Sequence, residues 1–290
     1  MEIRKDPRVS VVMLTHNRVD EATRSLAHLL ALPEQPRICV VDNGSVDDTA
    51  QVLKSRFPDI DIIRLEDNIG AAARNVGIAH AATPFVALCD DDTWWKPGAL
   101  SRAADALDTH ARLAIVTGRV LVGPEEREDL TCRRMAASPL PADGLPGPAI
   151  LGFLAGASMI RRAAFLEVGG FEPKFFLGGE EALVAWDLAA AGWAMVYLDD
   201  VIIYHYPSRL RDADTRRRLL VRNAIWAAWL RRPRISAIRH TLSLIGSAMR
   251  DPRSAPGLLE AAAGLPWALR HRRVLPHHVE ASLRLVERGE

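Results

Sequence analysis

Three consecutive carboxylates, Asp90, Asp91 and Asp92, directly follow the apolar run 85–89. A short apolar run between a proline and a polar cluster is typical of a buried strand. Such a strand would deliver the acids to the carboxyl edge of a sheet, where open α/β folds bind ligands. Carboxylate oxygens suit Mg²⁺ or Mn²⁺, which commonly bridge to phosphates. Taken alone, however, the triplet is better explained as a solvated acidic turn before a helix that starts near Pro97.

The elements that would position these acids alternate along the chain. Apolar runs predict strands at 9–14, 37–41, 61–65 and 84–89. Apolar residues at helical spacing predict helices at 20–32, 47–57 and 68–82. Strands that alternate with helices pair in parallel through right-handed crossovers. We therefore predict an α/β fold with a mostly parallel central sheet flanked by helices.

Two other predicted strands also end in polar residues, at 15–18 (Thr-His-Asn-Arg) and 42–45 (Asp-Asn-Gly-Ser). Turn chemistry explains each cluster by itself. In a parallel sheet, however, both would lie on the same edge as the acidic triplet, which is typical of a nucleotide site. The chain has no G-x-G-x-x-G after the first strand and no G-x-x-x-x-G-K-[ST]. A dinucleotide fingerprint and a P-loop are therefore excluded.

Composition limits the classes of protein to consider. The 290 residues are 49% hydrophobic and 25% charged, with a net charge of +1, so the chain as a whole is not a nucleic-acid binder. The three cysteines have no metal spacing, which indicates a reducing compartment. The N-terminus lacks an apolar signal region, and the apolar stretch 149–160 is too short to span a bilayer. We expect a cytoplasmic protein, soluble or peripheral at the inner face of the cell membrane.

Four motifs together carry a family resemblance: SVVMLTHNR at 10–18, VVDNGSVDDT at 40–49, NIGAAARNVG at 68–77 and LCDDDTWWKP at 88–97. In this order and spacing they resemble family 2 glycosyltransferases of the GT-A fold. The resemblance continues through 169–172, 175–181, 188–193 and 201–206, and covers about two thirds of the chain. The family usually has Pro and Tyr where this chain has Leu14 and His16. It most often has Glu-Asp where this chain has Glu180-Glu181.

The resemblance implies an inverting transferase that moves a sugar from a nucleotide-diphosphate sugar to a hydroxyl acceptor, in cell-surface polysaccharide or glycolipid assembly. It implies a GT-A catalytic domain at 1–208, with a nucleotide half at about 1–123 and an acceptor half at about 149–208. An Arg-rich helical extension at 209–290 would follow. The nucleotide half would bind the nucleotide-sugar donor, and a saccharide or a lipid-linked molecule would be the acceptor.

Site residues are assigned on these motifs. Asp90 and Asp92 are candidates to hold Mg²⁺ or Mn²⁺ against the diphosphate, with Asp91 close by, and His205 is either a further ligand or structural. Asp42 would accept from the nucleotide base, as the resemblance implies. Arg74 would neutralise phosphate, unless it is an exposed helical arginine. The remaining candidates for donor contact are Thr15, Asn17, Arg18, Asn43, Asn68 and Gly70.

The acidic pair Glu180-Glu181 would supply the proton acceptor. Glu181 is the candidate general base, and repulsion from Glu180 would raise its pKa. The alternative is a helix N-terminus enriched in acids because they complement the helix dipole.

Two later segments have open interpretations. Residues 125–148 are rich in Pro and Gly and predict an irregular excursion between the two halves, either a functional lid or a disordered insert. Residues 216–232 predict a helix with arginines at both ends and one largely apolar side formed by Leu219, Leu220, Asn223, Trp226, Ala227 and Leu230. The segment 209–232 would contact an anionic membrane surface, or this helix would pack on the catalytic domain.

Two other functions remain open at this point. A nucleotidyltransferase on a related sheet would favour a Gly-rich, basic loop after the first strand, and residues 14–17 do not form one. A non-catalytic sugar-nucleotide-binding protein is the other alternative, although Asp90, Asp92 and Glu181 are all present.

Overall fold

The computed structural model describes residues 5–208 and 213–289. The strands are β1 (Val9–Thr15), β2 (Arg37–Asp42), β3 (Asp61–Arg64), β4 (Phe85–Asp90), β5 (Thr93–Trp95), β6 (Leu113–Val122), β7 (Arg127–Glu128), β8 (Ser158–Arg161) and β9 (Ala194–His205). The helices before β9 are α1 (Val19–Leu30), α2 (Thr49–Arg56), α3 (Ala73–His80), α4 (Ala99–Thr109), α5 (Leu130–Ala136), α6 (Arg162–Glu167) and α7 (Glu180–Ala190). Those after it are α8 (Ala213–Arg231), α9 (Arg234–Arg250), α10 (Ala255–Arg270) and α11 (His277–Gly289).

The strands form one mixed sheet in the order β3-β2-β1-β4-β8-β6-β9-β5, with β7 paired to β6. The four N-terminal strands predicted from the apolar runs are parallel to one another, as expected. β8 then runs antiparallel to both β4 and β6, while β6 and β9 are again parallel. The change of direction at β8 follows the acidic end of β4 and separates the two halves of the sheet.

Of the predicted strands, β1, β2 and β4 are largely buried, whereas β3, at the edge of the sheet, is only partly buried. Val11, Val12, Val86 and Leu88 are wholly inaccessible to solvent. Parallel strands covered on both faces need continuous apolar runs rather than alternating ones, and these runs made the strands recognisable in the sequence.

The prediction of an irregular excursion over 125–148 is wrong for its first half. Residues Arg127–Glu128 form β7 against β6, and α5 follows. The backbone N–H of Thr131 donates to the Asp129 carboxylate at 2.7 Å, which caps the helix. A helix of seven residues has too few turns for the spacing of its apolar residues to be recognised in the sequence. Asp129, a residue type that favours the N-cap, was the one sequence feature that indicated it.

Helices α8 and α11, in the C-terminal part of the chain, pack against α7. The side chains of Trp226, Ala227 and Leu230 are buried in a cluster with Phe175 and with residues of α7 and α10. Leu219 is also buried. Leu220 is exposed. Most of the apolar side of this helix is therefore packed inside the protein, as the second of the two interpretations expected.

The expected boundary between catalytic domain and extension coincides with residues 209–212, which lie outside the described residues. The first part of the predicted membrane contact lies there too. Among the described residues, no helix combines the length and the apolar character needed to cross a membrane.

Candidate active site

A cavity of about 290 Å³ opens at the carboxyl edge of β1 and β4. Nine of the residues predicted from the sequence line it: Thr15, Arg18, Asn43, Asn68, Gly70, Arg74, Asp90, Asp91 and Asp92. Five predicted residues do not line it: Asn17, Asp42, Glu180, Glu181 and His205. Asn17 and Asp42 are next in sequence to residues that do. Glu180 and Glu181 interact electrostatically with Arg74, and His205 lies close to Asp92. The fold therefore brings the three polar strand ends together, as the parallel sheet predicts.

Asp91 is held by the first polar cluster. Thr15 Oγ1 donates to Asp91 Oδ2 at 3.1 Å, and Arg18 Nη1 donates to Asp91 Oδ1 at 3.0 Å. Ser25 Oγ, on α1, donates to the backbone carbonyl of Asp91 at 2.7 Å. Burial raises the pKa of the Asp91 carboxyl to about 7, and the neighbouring Arg18 guanidinium opposes this effect. The middle acid thus links two strand ends inside the protein.

Asp90 points into the cavity and forms an ion pair with the buried Arg74. Arg74 is therefore not an exposed helical arginine. Gly156 lies against the same carboxylate, since a Cβ there would come within 2.6 Å of Asp90 Oδ2. Because any larger residue would displace the carboxylate, the approach of residues 155–157 to the end of β4 requires glycine at this position.

Asp92 is directed toward the end of β9. The backbone N–H of Ser208 donates to Asp92 Oδ2 at 3.1 Å, and His205 Nε2 lies 3.5 Å from Asp92 Oδ1. The backbone N–H of Tyr206 donates to the Asp92 carbonyl at 2.9 Å. These contacts bring His205 to the acidic triplet from a strand more than 100 residues later.

Asn43 organises the turn that contains Asn68 and Gly70. Its Nδ2 donates to Asn68 Oδ1 at 2.9 Å and to the Gly70 carbonyl at 3.0 Å, while its Oδ1 accepts from the backbone N–H of Ile69 at 2.9 Å. Gly70 has a φ of +66°, and a Cβ there would lie 2.0 Å from the Phe176 carbonyl oxygen. Only glycine fits this close approach of the two loops.

Asn17 and Asp42 lie behind the cavity wall. The Asn17 backbone N–H donates to Ser45 Oγ at 2.9 Å, and Asn17 Oδ1 accepts from the Val46 N–H at 2.8 Å, so Asn17 joins two strand-end loops. Asp42 is fully buried and its Oδ1 accepts from the Ser45 N–H at 3.2 Å. Its Oδ2 has no hydrogen-bond partner among the described residues, although Arg64 Nε lies 3.6 Å away.

Glu180 and Glu181 begin α7, directly after Gly178 and Gly179, which both have φ of +84°. Burial raises the pKa of both carboxyls, and the charge of Glu181 adds to the effect on Glu180. The positive charges of Arg74 and Arg216 oppose these shifts. Two acids held at raised pKa values beside an ion-paired arginine are typical of a functional site.

Sequence reasoning missed several residues of the cavity wall. Thr215 and Arg216 reach it from α8 in the C-terminal extension, and Phe176 and Leu177 reach it from the loop before α7. The loop residues stood within a recognised motif, FFLGGEE, but no role was assigned to them. The arginine run 216–218 was interpreted only as one end of an amphipathic helix. Because a diphosphate needs positive charge around it, this run could have been considered as a source of a donor-binding arginine.

The fold and the cavity define a class of protein. A parallel nucleotide half, a mixed second half and an acidic strand end beside the reversed strand form the architecture of GT-A nucleotide-sugar transferases. Residues 10–169, more than half of the chain, match the family model described as glycosyl transferase family 2. The chain belongs to this family and is a glycosyltransferase. Of the three functions left open by the sequence, the family supports the first.

The chain is similar to two proteins of Mycobacterium tuberculosis. It is 26% identical over 241 residues to an N-acetylglucosaminyl-diphospho-decaprenol L-rhamnosyltransferase, covering 70% of this chain and 78% of the relative. It is 28% identical over 214 residues to the pre-mycofactocin glycosyltransferase, covering 70% of this chain and 44% of that protein.

Two solved structures share the fold. The mannosyltransferase PcManGT from Pyrobaculum calidifontis, in complex with GDP-Man and Mn²⁺, has a TM-score of 0.60 at 21% identity, covering 98% of this chain and 76% of that one. A fragment of S. aureus TarS in complex with UDP-GlcNAc has a TM-score of 0.58 at 17% identity, covering 97% and 88%. At these identities the likeness establishes the fold alone.

Proposed function

We propose that the protein transfers a hexosyl or deoxyhexosyl group from a nucleoside diphosphate sugar to a hydroxyl of a saccharide or lipid-linked acceptor, with inversion at the anomeric carbon. The observation that carries this proposal is a cavity lined both by the three acids of 90–92 and by Arg18, Arg74 and Arg216. A departing diphosphate needs positive charge around it, and a cluster of acids among these arginines is suited to sharing a cation with it.

The residues present fit a divalent cation. In the described parts of the chain, no three His, Cys, Asp or Glu side chains are close enough to hold a metal by themselves. Such a set is not needed, because Mg²⁺ at phosphate sites is usually held by one or two carboxylates together with substrate oxygens and water. Asp90 and Asp92 would hold Mg²⁺ or Mn²⁺, with His205 beside Asp92. A cation bound there supplies Lewis acidity to the leaving diphosphate.

The protein's own residues perform the other tasks. Arg18 and Arg74, each paired to an acid of the triplet, would contact the donor phosphates when the donor binds, and Arg216 would approach from α8. Thr15, Asn43, Asn68 and Gly70 would shape the nucleotide side, and Asn17 would hold the loops behind them. Asp42 Oδ2 would accept a hydrogen bond from the nucleotide base. Because Asp42 is buried behind the cavity wall, the residues of that wall would have to move apart for this contact. Without these contacts the sugar could not be oriented for in-line attack.

The acidic pair would supply the base. As the acceptor oxygen forms its bond to the anomeric carbon, its proton passes to Glu181, and the electron pair of the broken C–O bond leaves with the diphosphate. A raised pKa makes a carboxylate a stronger base near neutral pH. Burial and the charge of Asp90 raise the pKa of Glu181, whereas Glu180, the expected source of repulsion, has its own pKa raised to about 8 and would stay protonated beside it. Attack from the side opposite the diphosphate inverts the anomeric centre.

The acceptor class is supported by a relative. The mycobacterial rhamnosyltransferase is named for an N-acetylglucosaminyl-diphospho-decaprenol acceptor, and we propose a saccharide or lipid-linked acceptor of this general kind for the present chain. We propose that 1–208 forms the catalytic domain and 209–290 the extension. Contact of 209–232 with an anionic membrane stays a prediction, and most apolar side chains of its described part are buried.

Release of free sugar from nucleotide sugars in the presence of Mn²⁺ tests the proposal. A panel of uridine, guanosine and thymidine diphosphate sugars would first be screened for a rise in melting temperature with Mn²⁺. We expect Asp92→Asn to abolish metal-dependent turnover while keeping its bond from the Ser208 N–H. Asp199→Asn, an exposed change in β9, is the matched control. Lack of turnover with every donor, with or without a saccharide acceptor, would show the proposal to be wrong.

A further inference from the structure

Helix α9 carries a row of exposed apolar side chains. Ile235, Ile238, Leu242 and Ile245 are 65%, 45%, 62% and 38% exposed. At 100° per residue, their spacing places them within an arc of roughly 80° on one side of the helix. We call these four residues the α9 stripe. Single exposed apolar residues are ordinary, but a continuous row of them marks an interaction surface.

Positive charge borders the stripe on both sides. α9 contains Arg234, Arg239 and Arg250, all exposed, and no Asp or Glu. By the same helical geometry, Arg234 lies beyond one edge of the stripe, and Arg239 and Arg250 lie beyond the other. An apolar row between arginines is typical of a helix that lies in the headgroup region of an anionic bilayer.

The neighbouring helix adds apolar surface. Leu259 and Leu269 of α10 are exposed and lie on one side of that helix, where Ala262 and Ala263 are also exposed. The acid of α10, Glu260, lies within 3.5 Å of Arg218 and Arg222 of α8. The charge of Glu260 is thus balanced by arginines of the protein, and α10 adds little negative charge to oppose binding to an anionic surface.

The opposite side of α9 is packed within the protein. Ser236 Oγ donates to Glu280 of α11 at 2.7 Å, and Ala237 and Ala248 are buried. The helix is therefore anchored by the side away from the stripe, which leaves the stripe and its arginines facing outward. This orientation fits a surface that contacts something outside the chain.

We propose that the α9 stripe docks the protein on the surface of an anionic lipid bilayer. A second copy is a poorer occupant, because two such faces would bring their arginines together, which is costly. A bilayer with anionic headgroups accommodates both the apolar row and the charge. The surface differs from 209–232, whose described apolar residues are mostly buried, and it does not depend on the donor chemistry.

Vesicle flotation tests this proposal with the full chain. We expect the protein to float with vesicles that contain phosphatidylglycerol and to remain unbound with pure phosphatidylcholine. Ile238→Glu/Leu242→Glu should weaken binding tenfold or more, because it places charge in the inserted face. Leu130→Glu/Leu166→Glu, which changes two exposed leucines of the catalytic domain in the same way, should bind as the wild type does. Arg234→Gln/Arg239→Gln should weaken binding and reduce its dependence on salt.

Other results would overturn the proposal. Absence of flotation with anionic vesicles, or equal flotation by the wild type and the stripe variant, would show it to be wrong. So would light scattering that reveals a dimer converted to monomers by the stripe variant, without lipid binding. Donor hydrolysis in detergent-free solution should be unchanged in the stripe variant, so loss of membrane binding is distinguishable from failure of the proposed catalytic function.

Discussion

Replacing Asn223 by alanine tests how the C-terminal extension supports the active site. Asn223 lies on α8 and is fully buried. Its Nδ2 donates to the carbonyls of Phe175 at 2.8 Å, Leu177 at 3.1 Å and Gly178 at 2.6 Å. This one amide therefore fixes the loop that lines the cavity and leads into the acidic pair at the start of α7.

The magnitude follows from the bonding capacity of the amide. The NH₂ group has two hydrogens for three carbonyls, so it supplies the equivalent of two hydrogen bonds. Asn223 Oδ1 also accepts from Arg222 Nε at 2.9 Å, so three hydrogen bonds are lost in all. Arg222 Nη2 also donates to the Phe175 carbonyl, at 2.8 Å, so the unpaired groups would be the carbonyls of Leu177 and Gly178. Three lost bonds at about 1 kcal/mol each, with part of the desolvation cost of two buried carbonyls, give about 3–5 kcal/mol. For a chain of this size the melting temperature should fall by roughly 5–8 °C.

The assay compares stability with turnover. We expect kcat/KM for the donor to fall roughly 10- to 100-fold at a temperature where the variant is still folded, because a loop displaced by about 1 Å misplaces the acids. Trp229→Phe is the control: it removes a hydrogen bond from Trp229 Nε1 to Thr241 Oγ1, 3.1 Å, elsewhere on α8. The control should lose stability but keep its kcat/KM. An Asn223→Ala variant with wild-type melting temperature and activity would refute this account of the loop.

The remaining predictions concern the site directly. Glu181→Gln should lower kcat at least 100-fold, since it removes the proposed base. Glu180→Gln should keep activity and leave the acid limb of the kcat/KM–pH profile in place, because the pKa of Glu180 is raised to about 8 and its carboxyl is uncharged where Glu181 titrates. Arg216→Ala should weaken donor binding about tenfold by titration, whereas Arg217→Ala, whose residue pairs with acids away from the cavity, should not. Gly70→Ala should lower the free energy of unfolding by about 1–3 kcal/mol in denaturant titration, because of its positive φ and the carbonyl it would strike.

Each of these has a contrary result. Full activity of Glu181→Gln would remove that residue from the proton transfer, and an acid limb moved to lower pH in Glu180→Gln would show that Glu180 is charged where Glu181 titrates. Equal effects of the changes at Arg216 and Arg217 would mean that general charge, not a cavity contact, is responsible. A Gly70→Ala variant as stable as the wild type would mean that the two loops can separate without cost.

The strand ends illustrate what the sequence made predictable. Continuous apolar runs such as 85–89 encode buried parallel strands, and the alternation with helical patterns encodes their common direction. Once the strands are parallel, the polar groups after them must share one edge, which places six cavity residues together: Thr15, Arg18, Asn43, Asp90, Asp91 and Asp92. Asn68, Gly70 and Arg74 were named from the family resemblance. The recognised motifs are local in sequence, and local geometry was sufficient to place them.

The tertiary structure decided the contacts that join distant segments. Arg216 reaches the cavity from α8, His205 meets Asp92 from β9, and Asn223 holds a loop 45 residues before it. Each depends on how a helix or strand packs, and no short-range pattern encodes such packing. The helix predicted at 216–232 is a further example. Its amphipathic pattern predicted an apolar side, but only the packing of the helices showed that most of this side is buried. The tertiary structure likewise showed that the exposed apolar row lies on α9.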